Sequence, residues 1–271
     1  MKTSAFLVGL VICAAIVPNA SWARSNLEAE QEFISEPYLL GEYLLDAGDH
    51  LRRAYQRSER MSRSAGEEFW WTLYSYTVGR FLKGFTAPYQ IGSAGEKLIG
   101  ASTVISPQRA PLMEIAGKEL KAYRTLGYWN RGLLWGGLIT ALFGGQNKAM
   151  SAAGGLAMLT GEGIGIVAPR RVGSAGKALE EISGAFPSAT QRKLMKEAGK
   201  SLQSYTKRTY WGWGLQGLGV TTAIIGFAGE NTSVGVTGIL TTLVGIIICD
   251  IIAPTSIQSA GERLEELGNI L

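Results

Sequence analysis

Two carboxylates fall inside otherwise apolar stretches of this chain, Glu162 and Asp250. An acid at membrane depth is expensive to hold, so each is a candidate intramembrane polar site for an ion or a proton. Glu162 is the stronger of the two, because Thr160, Gly161, Gly163 and Gly165 surround it. Asp250 is four residues from Pro254, near the expected end of its segment. An internal repeat, described below, places Gly165 where Asp250 stands, so the two acids are not a matched pair.

The other reactive residues do not assemble into a recognisable site. His50 is the one histidine, and a lone histidine is far more often a surface residue than a metal ligand. Cys13 and Cys249 lie in separate apolar runs without metal-ligand spacing, and they imply no disulfide framework. Ala198-Gly199-Lys200-Ser201 imitates the end of a phosphate-binding loop. Leu194, however, stands where that loop needs glycine, and no strand precedes it. Gly161-Glu162-Gly163-Ile164-Gly165 lacks the dinucleotide-binding spacing. With no nucleophile–base grouping, hydrolytic chemistry has no support. The expectation is a protein without catalytic, cofactor-binding or metal residues.

What holds the two acids is a duplicated helical framework. Ala116-Gly117-Lys118-Glu119-Leu120, then Tyr123 and Tyr128-Trp129, return as Ala198-Gly199-Lys200-Ser201-Leu202, Tyr205 and Tyr210-Trp211. The offset is 82 residues (117 to 199, 129 to 211). Each copy ends on Ala-Pro, at Ala168-Pro169 and Ala253-Pro254, and then on Ser-Ala-Gly, at Ser174 and Ser259. There the offset is 85 (169 to 254), so three residues are gained between the landmarks. A third Ala-Pro to Ser-Ala-Gly element, Ala87-Pro88 and Ser93-Ala94-Gly95, marks a worn first unit.

Between these landmarks lie four apolar segments, 128–145, 150–168, 210–229 and 233–253. Each is close to the ~20 residues that cross a ~30 Å hydrocarbon core. Short polar links, Gln146-Asn147-Lys148 and Glu230-Asn231-Thr232, imply antiparallel hairpins. Only 18% of the chain is charged, and its 36 glycines sit largely inside apolar runs, which favours closely packed membrane helices over a soluble fold. Small residues four apart at Gly132/Gly136 and Gly219/Ala223 are candidate helix-packing positions. Tyr128, Trp129, Tyr210, Trp211 and Trp213 stand where aromatic anchors meet the headgroups.

The fold class expected is therefore all-α: an integral membrane protein with two duplicated transmembrane helical hairpins joined by amphipathic helices, plus a possible fifth span at 69–88. Residues 1–23 read as a secretory signal peptide, since Ala5 to Val17 is short for a span and Ser21-Trp22-Ala23 suits cleavage. Residues 24–68 read as a polar helical region, 69–115 as the degenerate unit with its linker, 116–197 and 198–271 as the two full units. Basic residues crowd the long connections and only Lys148 marks the short turns, so the positive-inside rule puts the connections in the cytoplasm. A cleaved signal peptide would export residues 24–68, and a crossing at 69–88 reconciles the two.

The localisation expected is the bacterial inner membrane. The partners are the bilayer, anionic lipid through Arg170, Arg171, Lys207 and Arg208, and a second copy or another envelope protein, with no nucleic acid. The role expected is non-enzymatic, as a structural, assembly or interaction component of the envelope. One alternative is a small transporter or channel using Glu162. Another is a secreted, glycine-rich helical protein that inserts into a membrane.

Overall fold

A computed structural model describes residues 36–63, 86–143 and 147–271. The signal-peptide segment and most of the 69–88 segment lie outside the described residues. Among the described residues the chain is helical, with no strand. The helices are α1 (Pro37–Arg63), α2 (86–101), α3 (Ala110–Phe143), α4 (Lys148–Ile182), α5 (Ala189–Ala228), α6 (Thr232–Ile247) and α7 (Ala253–Asn269). A π-helical stretch, Ile248–Ile252, joins α6 to α7.

Amphipathic and apolar segments are fused into single helices. The 40 residues of α5 correspond to about 60 Å at 1.5 Å per residue. Its start is specified locally by a capping box, in which Ser188 accepts from Thr190 and the Gln191 side chain accepts from the Ser188 amide. Asn147 caps α4 by accepting from the Ala149 and Met150 amides, and Asn231 caps α6 by accepting from Val234. The second turn is closed by Glu230 in the left-handed region, at φ 56°.

The amphipathic portions build one base within the compact unit Glu32–Leu271. They form a ring in the order α1, α2, α3, α4, α5, α7 and back to α1. Three of its seams are glycine-on-glycine. A Cβ built on Gly95 would lie 2.5 Å from the Gly117 carbonyl oxygen, one on Gly199 2.5 Å from that of Gly176, and one on Gly48 2.6 Å from that of Gly261. Only glycine permits that approach. The remaining seams carry polar contacts: Lys97–Asp46 at 2.7 Å and His50–Gln90 at 2.7 Å between α1 and α2, Arg171–Glu119 at 3.2 Å between α3 and α4, and Arg263–Glu197 at 3.1 Å between α5 and α7.

The base is three-fold in sequence as well as in space. Ala47-Gly48-Asp49-His50-Leu51 in α1 occupies the place of Ala116–Leu120 in α3 and Ala198–Leu202 in α5. Ala47, Ala116 and Ala198 are fully buried, as are Leu51, Leu120 and Leu202, and Leu44, Met113 and Met195. The Ser-Ala-Gly helices match in the same way, with Ala94, Ala175 and Ala260 and then Leu98, Leu179 and Leu264 all at 0% exposure. The worn first unit therefore reaches back to residue 47, and the C-terminal α7 completes it by packing on α1.

Gly48 against Gly261 and Lys97 against Asp46 pack α1 against both α7 and α2. The π-helical stretch has a plain origin. From Asn147 to Pro169 is one residue less than from Asn231 to Pro254, and a π turn absorbs one inserted residue while keeping Ala253-Pro254 in register.

Two helices are long and apolar enough to cross a membrane, α4 with its extension (Ala149–Ala185) and the continuous α6–α7 rod (Thr232–Asn269). Four such spans are not established by length and composition. α3 and α5 are less apolar because Asn130, Arg131, Gln216 and interleaved tryptophans and glycines dilute their aliphatic residues.

Candidate functional site: the hairpins and the axial tyrosines

The apolar halves of α3 with α4, and of α5 with α6, are packed inside out relative to the base. In the base the interior is leucine, isoleucine and alanine. In α6 the buried residues are Gly235, Gly238 and Gly245, while Leu240 is 58% exposed. On α4, Leu156 and Leu159 are 66% and 68% exposed. The contact surface instead runs through small residues seven apart: Gly154, Gly161 and Ala168 on α4, Gly212, Gly219 and Gly226 on α5. A seven-residue step keeps the seam facing its partner along a left-handed supercoil. Cβ atoms built on Gly137 and Gly219 would lie 2.6 Å from the carbonyl oxygens of Gly154 and Gly238. Polar contacts join the first hairpin: Asn130, itself buried, donates from Nδ2 to the Gly161 carbonyl at 2.6 Å, and Ser151 Oγ donates to the Ala141 carbonyl at 3.4 Å.

Where the base meets the hairpins, three tyrosines from alternate helices converge. The Tyr123 and Tyr205 hydroxyls are 2.9 Å apart, with rings edge to face at 6.3 Å, and the Tyr55 hydroxyl bonds to both. Each hydroxyl can both donate and accept, so three that converge can satisfy one another. Burial first, and neighbouring phenols second, push the Tyr55 and Tyr205 phenols well above their ordinary range. They are neutral at physiological pH and suited to sealing and fixing the axis, not to acid–base catalysis.

The positions singled out in the sequence fall as follows. Glu162 follows Gly161 on α4, with its Oε2 buried. Asp250 sits in the π-helical stretch of the other hairpin. Gly219 and Ala223 lie in the α5–α6 contact, where Gly238 approaches both. Gly132 and Gly136 face open space, with nothing within 4 Å of a built Cβ. Tyr128, Trp129, Tyr210 and Trp211 are exposed on the outer surface at the base of the hairpins, Trp211 at 72%. Trp213 is turned in, with its ring 3.5 Å from a Cβ built on Gly165.

The four cations divide into two kinds. Arg171 is paired with Glu119, and Arg208 donates to the Ile252 carbonyl, Thr255 Oγ1 and Ser256 Oγ, clamping α5 to α7. Arg170 and Lys207 are exposed. Among the described residues no group of three or more histidine, cysteine, aspartate or glutamate side chains could hold a metal ion.

Sequence reasoning did not single out Tyr55, nor Ala47-Gly48 as a third copy of the Ala-Gly element. The signal was present in Ala-Gly-x-x-Leu at 47–51. One extra residue before Tyr55, relative to Tyr123 and Tyr205, obscured it.

Compared with protein-family models, with curated proteins and with solved structures, the chain matches none. Its function is therefore argued from its own geometry.

Proposed function

We propose that the chain is a four-span protein of the bacterial inner membrane, in which a three-fold helical base outside the bilayer carries hairpins that cross it. The supporting observation is the inverted packing: glycine inside and leucine or isoleucine outside along the same helices whose polar halves pack in the ordinary way. Burying a leucine or isoleucine is worth about 1.5–3 kcal/mol, so water would penalise that outer face and lipid does not. α3 and α5 are packed along α4 and α6 through backbone contacts, so insertion of either apolar partner carries the other with it.

The role is non-enzymatic. The base is a stiff platform sealed by the tyrosine ring, and its cationic rim faces the cytoplasm. A structural or assembly component of the envelope uses such a platform to hold other proteins at the membrane. In cells carrying single cysteines at Asn147 or Asn231, an impermeant maleimide added outside is expected to label both turns. Labelling only after the inner membrane is opened would reverse the orientation and favour a secreted, membrane-inserting protein.

Glu162 gives transport one specific foothold, because a carboxylate oxygen is buried within a hairpin. Loss of a measured ion or solute flux in Glu162→Ala would establish that reading, and an absence of flux in the parent protein would remove it.

A further inference from the structure

We propose that the outer face of the α4–α5 seam, where the base meets the hairpins, binds the phosphate of an anionic phospholipid through Arg170 and Lys207. This rests on the membrane reading above and assigns its lipid contact.

The seam is fixed at this level by Thr206, whose Oγ1 donates to the Pro169 carbonyl at 2.6 Å. Arg170 and Lys207 are the next residues on the two chains. The helices are antiparallel and so related by a local two-fold axis perpendicular to them. A step of one residue on each therefore turns both side chains to the same side of the seam. Both are exposed. Their neighbours are already engaged, Arg171 with Glu119 and Arg208 with Thr255 and Ser256.

The height is right for a headgroup. α4 runs from its apolar segment down to Arg170. α5 runs up from Lys207 to Trp211, one turn later on the same face and 72% exposed, where its apolar segment begins. Tyr210 lies within electrostatic reach of Arg170. Two cations just on the polar side of two aromatic rings match the phosphate and glycerol levels of a lipid. The seam also differs from its neighbour in the ring. At the α2–α3 seam, built on the same Ala-Gly contact, Tyr89 and Thr125 hold the corresponding places, and neither is charged. Packing alone does not require the cations.

The test uses full-length protein in nanodiscs, with Trp211 fluorescence isolated by subtraction of Trp211→Phe. Brominated phosphatidylglycerol and brominated phosphatidylcholine are compared as minor components of a phosphatidylcholine bilayer. Trp211 is expected to be quenched preferentially by the anionic lipid, and Arg170→Gln/Lys207→Gln is expected to lower that preference by roughly thirty-fold, from the contribution of each surface cation. Arg131→Gln, a cation on α3, is expected to keep it. Inorganic phosphate at millimolar concentration should leave it unchanged, whereas competition by phosphate would reassign the site to a soluble anion. Equal quenching by both lipids, or an unchanged preference in the double variant, overturns the proposal. No quenching by either lipid would instead overturn the membrane reading on which it rests.

Discussion

Gly117 and Gly132 stand on the same helix, α3, yet alanine should act on them in opposite directions. A Cβ at position 117 meets the Gly95 carbonyl oxygen at 2.5 Å and the Ile99 amide nitrogen at 2.9 Å. Both are backbone atoms of α2, so no side chain can swing away. Ordinary contact begins near 3.4 Å, so the helices must separate by most of an ångström at the heart of the base. Overpacking of this kind costs about 1–3 kcal/mol, and the better helix propensity of alanine returns about 1 kcal/mol. The net loss is therefore up to about 2 kcal/mol. At position 132 nothing lies within 4 Å, so only the propensity gain, about 0.5–1 kcal/mol, remains. At about 2–4 °C per kcal/mol for a chain of this size, Gly117→Ala should lower Tm by up to about 8 °C and Gly132→Ala should raise it by about 1–4 °C. Thermal unfolding in mild detergent, followed by far-ultraviolet circular dichroism, reads both. If Gly117→Ala melts above the parent temperature, as Gly132→Ala should, the glycine seams do not hold the base, and the ring of helices is wrong.

Four further outcomes follow from the same geometry. Tyr205→Phe takes the 2.9 Å partner from the Tyr123 hydroxyl and should cost about 1–3 kcal/mol in chemical unfolding, while Tyr55→Phe/Tyr123→Phe/Tyr205→Phe should cost less than the three single changes summed. Because the Tyr55 and Tyr205 phenols are raised in the folded state, their contribution is fully present below the ordinary phenol range near pH 10. It is lost as pH rises toward their folded values, so unfolding midpoints should fall steeply above about pH 10 and less steeply in the triple phenylalanine variant. Asn130→Ala removes the bond to the Gly161 carbonyl and should loosen the first hairpin by about 1–2 kcal/mol, seen as faster hydrogen exchange along α4. Deleting one residue from Ile248–Ile252 should convert the π turn to α-helix with Tm little changed, whereas the same deletion among residues 161–165 should abolish folding.

Much of the architecture was legible because helix-forming patterns and repeats are local. The Asn147 and Asn231 turns and the Ala-Gly repeats follow from residue types whose physics acts over a few positions. Which glycines met a partner was not legible. Gly132/Gly136 and Gly219/Ala223 carry the same four-residue spacing, but which helix face meets the partner is decided by the rotation of the whole rod. The three-fold base was hidden for a related reason. Its third unit is assembled from the two ends of the chain, α1 and α7, and only tertiary packing brings Gly48 to Gly261. Arg171 and Arg208 looked equivalent to Arg170 and Lys207 in sequence, and it is their partners across the seams that separate them. The tyrosine ring needed all three helices placed at once.

The central claim is that one continuous set of helices passes from a base in water to hairpins in lipid. Single cysteines at Leu159 and Leu240 on the hairpins, and at Lys177 and Lys200 on the base, test it in a background free of Cys13 and Cys249. In inverted membrane vesicles treated with an impermeant maleimide, the base positions should label fully and the hairpin positions only after detergent is added. Hairpin positions that label as fast as the base before detergent would contradict the account.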